Sequence, residues 1–110
     1  FYLSWIGDYP DAENFLQCFY GPSSSPGPNR ANYANPEFDR LFERARAMPD
    51  SEERTDVYRR MARMVIEDCP WIFASEPMSY TLQQDRLLNR KPHLFAYGME
   101  KYYRLQRSRP

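Results

Sequence analysis

Apolar and polar positions recur on different periods along this chain, and each change of period marks an element. The opening run "FYLSWIG" (1–7) is almost wholly apolar or aromatic and short, which predicts a strand buried on both faces. "GDYPD" then gathers turn formers, and Asp11 is placed to cap a short helix through "AENFLQCF", with positions 15, 16, 18 and 19 on its inner face. "YGPSSSPGPNRANYANP" holds four of the ten prolines and two of the four glycines, so it reads as a surface loop.

Helical spacing follows twice. Asn35 before Pro36 is a helix start, a capping side chain with proline at the first helical position, and Phe38, Leu41, Phe42 and Ala45 share one face until Met48-Pro49. "DSEE" predicts a capping box of Asp50 with Glu53. The helix it opens puts Val57, Tyr58, Met61, Met64, Val65 and Cys69 inward and leaves Arg54, Arg59, Arg60, Arg63 and Glu67 to solvent, with Pro70 closing it. The short link between the two helices predicts an antiparallel hairpin. "WIFASE" and "MSYTL" read as strands divided by Pro77, and 81–110 as extended segments that need a partner surface. The fold class expected is therefore α/β, or α+β for the segment by itself, with a helical hairpin packed on short strands.

Composition narrows the function. At 110 residues the chain is about one small domain, and its 15 basic and 15 acidic residues cancel, which removes the basic excess expected of a nucleic-acid or membrane-surface partner. Cys18 and Cys69 are too few for a zinc site; they read as two buried free thiols, with a single disulfide as the alternative. His93 is the sole histidine, without a partner for a triad or a metal, and no glycine-rich phosphate cradle occurs. No catalysis, cofactor or metal is expected. No apolar run nears the roughly 20 residues of a membrane span, and the absence of a leader at Phe1 reads as a piece of a longer protein.

One constellation is left. Asp8 leaves the first apolar run between Gly7 and Tyr9, where ligands of open α/β sheets gather, and Trp5 stands on the face opposite Ile6. Residue spacing allows two readings: a carboxylate at the lip of a pocket walled by Trp5, or a turn acid beside a core tryptophan.

"GDYPDAENFL", "SPGPN", "NYANPEFDRL", "RARAMPDSEERTDVYRRM", "EDCPWIF" and "KYYRL" together span nearly the whole chain. The sequence resembles the C-terminal part of family 5 extracellular solute-binding proteins, the peptide-capturing components of ABC importers. The resemblance implies a type II periplasmic-binding-protein-like fold of two lobes closing on a ligand about a hinge, with residues 1–79 in the second lobe and 80–110 crossing back to the first. It further implies that Asp8 pairs with a peptide's α-ammonium group while Trp5, Ile6, Gly7 and Tyr9 line the same site. The expected partners are a peptide or other small solute and a membrane permease, in the periplasm or outside the cell, with a lipoprotein anchor as one arrangement. As a C-terminal piece, the chain is expected to bind peptide weakly or not at all by itself, and its unpaired strands to pair between copies as a homodimer or an exchanged arrangement. Two other readings remain open: the ligand-sensing domain of a cytoplasmic transcriptional regulator, and a plain helical-hairpin interaction module. Cys18 and Cys69 depart from the family's usual apolar or small residues, and "FASEPMSY" from its usual continuation.

Overall fold

The computed structural model describes residues 2–76, together with 78, 80, 82, 84, 87, 88, 106 and 107. The chain forms two units, Phe1–Phe73 and Ala74–Pro110. The first holds α1 (Glu13–Leu16), continued by a 3-10 turn over Gln17–Phe19, then α2 (Pro36–Arg46) and α3 (Glu52–Asp68). In the second unit, β1 (Leu87–Leu88) pairs antiparallel with β2 (Gln106–Arg107), Leu87 standing opposite Arg107. The proposed lobe boundary at 79/80 and His93 lie outside the described residues or at their edge.

The helical hairpin forms as its pattern predicts. Asn35 sits in extended backbone, and its side chain accepts from the N–H groups of Glu37 and Phe38, while Pro36 occupies the position whose N–H would go unused. Phe38, Leu41, Phe42 and Ala45 are all buried, and α3 meets them with Val57, Tyr58, Met61 and Val65. Each such large side chain withdrawn from water contributes on the order of 1.5–3 kcal/mol before chain entropy is counted. Phe19 completes this core from below α2, edge-on to Phe38 and Tyr33 and tilted against Trp71 at 4.6 Å between ring centres.

Three helix details differ from expectation. The cap of α3 is Ser51, whose hydroxyl accepts from the Arg54 N–H at 3.2 Å; Asp50 lies one residue outside. Adjacent Asp and Ser are both competent caps; Ser51, in extended backbone, is the one whose side chain accepts from the helix. Phe15 is exposed, since α1 tightens into the 3-10 turn after Leu16 and its inward face narrows to Asn14, Leu16, Cys18 and Phe19. Cys69 is exposed too: α3 ends at Asp68, and Cys69 turns to φ 47°, a left-handed cap ahead of Pro70. Of the two thiols expected to be buried, Cys18 alone is; both are free.

The strands expected over 1–7 and in "WIFASE" do not form. Residues 2–6 and 72–76 carry no ladder, and Tyr2, Ile6, Ile72 and Phe73 are exposed. A short apolar run becomes a strand only when a neighbouring strand takes its N–H and C=O groups, and no such neighbour stands beside either run among the described residues. The strand proposed for "MSYTL" includes residues outside those described. The described part of the molecule is thus mostly helical, and the α/β class is not visible in it.

The long loop is less loose than its composition implies. Asn29 is fully buried and acts as its centre: its amide donates to the carbonyls of Tyr20 and Tyr33 and accepts from the Tyr33 N–H. Gly27 lies so close beneath Ser23 that a Cβ there would sit 2.4 Å from the Ser23 carbonyl oxygen.

Candidate functional site

The segment 5–9 is irregular, and one buried side chain organises it. Asn14 in α1 accepts from the Trp5 indole N–H at 3.0 Å and from the Asp8 backbone N–H at 3.2 Å, both at Oδ1. Its Nδ2 lies 3.4 Å from Asp8 Oδ2, a long donation to the carboxylate. Beyond Asp8 the chain reverses at Pro10, where the Asp11 N–H reaches back to the Tyr9 carbonyl at 2.9 Å in a three-residue turn. Asp11 then fixes α1 from both sides. One carboxylate oxygen accepts the Glu13 N–H, and the other meets Arg54 Nη1 of α3 at 2.6 Å.

The five site residues named from the sequence are therefore placed as follows. Asp8 is exposed at the outer edge of this turn, and Gly7 beside it is buried. Trp5 is half-buried, its ring against the core and its N–H on Asn14. Ile6 and Tyr9 are turned outward, Ile6 with 71% of its surface exposed. Asn14 brings Trp5 and Asp8 together. A groove of about 570 Å³ opens nearby, lined by Pro10, Phe15, Arg54, Tyr58 and Ala62 among others, but no residue of 5–9 lines it.

The electrostatics concentrate on the Asp11–Arg54 junction. Burial pushes the Asp11 carboxyl up, and the Glu13 N–H and the Arg54 guanidinium together outweigh that, holding it below the usual carboxylate range. Arg54 is stabilised as a cation chiefly by Asp11, and its guanidinium lies 4.8 Å from the centre of the Tyr58 ring. Burial, with the Asp11 charge beside it, pushes the Tyr58 hydroxyl up to about 12. Among the described residues no cluster of acidic, histidine or cysteine side chains fits a metal ion. No helix described is long and apolar enough to cross a membrane.

Comparison with known proteins shows what this chain is similar to. The chain is 34% identical over 82 residues to Di/tripeptide-binding protein 2 of Pseudomonas aeruginosa, covering 74% of this chain and 15% of that protein. It is 30% identical over 95 residues to Heme-binding protein A of Haemophilus influenzae, 86% of this chain and 17% of that protein. Oligopeptide-binding protein OppA of Bacillus subtilis matches at 28% over 68 residues, 62% of this chain and 12% of that protein. These matches are consistent with a fragment of the family 5 solute-binding proteins. It spans between 12% and 17% of the length of these three relatives. No family model matches it, and no solved structure does. The relatives are named as binding proteins.

Three residues of this segment escaped the reading from sequence: Asn14, Asn29 and Arg54. Both asparagines sit among polar or loop-forming neighbours, where a polar residue reads as solvent-facing, yet both are fully buried. From sequence, Arg54 reads as one of the solvated arginines. Arg59 and Arg60 are indeed exposed and pair with surface acids, but the Arg54 side chain is 12% exposed. A clue was available: Arg54 lies one helical turn before the inward Tyr58, on the flank of the apolar stripe.

Proposed function

We propose that this chain supplies one wall of the peptide-binding cleft of a solute-binding protein serving an ABC importer, and that Asp8 receives the peptide's α-ammonium group. The observation that carries the reading is the match to proteins named for di/tripeptides and oligopeptides, over a stretch that includes most of the chain. Asp8 supports it physically: an exposed carboxylate at the rim of a turn whose position is fixed by Asn14. Trp5, Ile6, Gly7 and Tyr9 form its surroundings, with Ile6 and Tyr9 offering apolar surface to the ligand's first residues. The protein would work outside the cytoplasm and hand its cargo to a membrane permease.

An exposed carboxylate holds an ammonium weakly, because water competes for both charges. Affinity rises when the facing wall of a closing cleft removes that water. The 110-residue chain by itself is therefore expected to bind peptides poorly, and the intact protein far better. The match to a heme-binding protein over 86% of the chain indicates that the scaffold serves more than one ligand class, so hemin belongs in the test.

Calorimetry on the intact protein distinguishes the outcomes. A dipeptide with a free amine should bind at least about tenfold tighter than its N-acetylated form, the loss expected when one charge-assisted hydrogen bond is removed. Asp8→Ala should erase that difference. Equal affinity for the two peptides, or tight binding of hemin with none of peptide, would overturn the assignment.

A further inference from the structure

We infer that Asn14 is the positioning residue of this site: it sets the Asp8 carboxylate for its ligand and links that setting to Trp5. The inference rests on the reading of Asp8 as the ammonium-binding group. Asn14 has no exposed surface, and burying an amide without partners is costly. Its side chain forms bonds to Trp5 and Asp8, three in number, all within the segment that carries the proposed site.

The direction of these bonds fixes the amide's orientation. The Trp5 indole N–H and the Asp8 backbone N–H can only donate, so both must meet Oδ1, which uses its two lone pairs on them. Nδ2 is thereby turned toward Asp8 Oδ2. One oxygen of the carboxylate is tethered, and the other takes no part in this network. A carboxylate on an exposed turn would otherwise sample several rotamers, and each immobilised side chain costs binding free energy at the moment of capture. Asn14 makes that ordering part of the folded state.

The support runs on into the core. Asn14 stands in the first turn of α1, and its carbonyl is held by the Gln17 side chain at 3.0 Å. Two residues before α1, Asp11 is clamped by Arg54 from α3. The rim of the turn is thus tied through one amide to a helix that is itself pinned to the hairpin. Neither partner can be moved independently. A shift of Asp8 toward a ligand draws on the amide that also holds the Trp5 indole, so Trp5 reports on the state of Asp8.

The test uses the intact protein and compares Asn14→Asp, which keeps the acceptor and loses the donor, with Asn14→Ala, which loses both. The readout is the ratio of affinities for a free-amine dipeptide and its N-acetylated form. A purely architectural Asn14 would weaken both peptides alike. A positioning Asn14 lowers the free-amine affinity about tenfold or more in Asn14→Asp and leaves the acetylated peptide where it was. Should either variant fail to fold, as judged by circular dichroism, the wild-type protein labelled with ¹⁵N in asparagine, aspartate and tryptophan answers the same question. Free-amine dipeptide must then shift the Asn14 side-chain amide, the Trp5 indole N–H and the Asp8 N–H together, and the acetylated peptide must not. A full ratio in folded Asn14→Asp, or movement of Asp8 without Asn14, overturns the inference while the Asp8 assignment stands. A full ratio in Asp8→Ala means that the Asp8 reading itself has failed, and the positioning role with it.

Discussion

Arg54 and Asp11 meet at 2.6 Å across 43 positions of sequence, and this pair joins all three helices of the first unit. Asp11 leads into α1, and Arg54 occupies the first turn of α3. The Arg54 Nε donates to the carbonyl of Ala45 in the last turn of α2 at 3.0 Å, and the guanidinium plane covers the Tyr58 ring. Arginine suits such a junction because its donors point in fixed, separate directions while its face remains free for an aromatic ring.

Replacing Arg54 with Ala should therefore cost more than any other arginine change in α3. A loss of roughly 2–4 kcal/mol is expected for the charged hydrogen bonds and ring contact together, against less than about 0.5 kcal/mol for Arg63→Ala on the solvent face. Arg54→Lys keeps the charge but not the fork, and should recover less than half of the loss. Urea unfolding of the three variants measures this; equal midpoints for Arg54→Ala and Arg63→Ala would refute the junction.

Acid should weaken the same fold through two carboxylates. Asp11 is held below its ordinary 3.8 because the Glu13 N–H and Arg54 overcome the effect of burial. Asp68 is also lowered from 3.8, first by the Tyr33 hydroxyl at 2.5 Å and then by the Asn35 amide. Because both folded-state values lie below the unfolded ones, their stabilisation is complete above the unfolded value and disappears as pH falls through the folded one. Stability should be flat above about pH 5 and decline below about pH 4. Asp11→Asn should flatten that decline in thermal melts recorded across the acid range, and an unchanged acid limb would count against the assignment.

The hairpin was legible in the sequence because its information is local. Four apolar positions at helical spacing after Asn35-Pro36 name the buried face of α2 without reference to the rest of the molecule. The capping residue of α3 reads one position early because Asp50 and Ser51 are chemically alike as caps and the sequence does not say which side chain will reach the Arg54 N–H. "FYLSWIG" could not be read the same way, since a strand is defined by a neighbour, and its own residues do not say whether that neighbour is present. Asp8 was legible as a turn acid. Its partner Asn14 was not, because nothing in "AENFL" tells a buried amide from a solvated one.

Asn29 offers a test of the loop. Asn29→Ala removes three hydrogen bonds from a fully buried site and leaves the Tyr20 and Tyr33 carbonyls short of a donor. A destabilisation of about 2–4 kcal/mol is expected, with faster proteolytic cutting between 21 and 34 than in α2 or α3. Cleavage at wild-type rate would show that the loop does not depend on this amide.

The two thiols should separate cleanly by reactivity. Cys69 is exposed, whereas Cys18 is 1% exposed and burial pushes its thiol up to about 11. Ellman's reagent at pH 8 should titrate one thiol within minutes and the second only in denaturant. Fast reaction of both would place Cys18 at the surface.

Asn35 serves two helices at once: its oxygen caps the start of α2, and its amide nitrogen holds Asp68 at the end of α3 at 3.0 Å. Asp68 is poorly placed for the helix dipole, so it depends on that nitrogen and on the Tyr33 hydroxyl. Unwinding at the terminus of one rod therefore withdraws the fastener of the other. Amide protons at these two distant points of the sequence should exchange with solvent as a single cooperative event, and not as two independent frays.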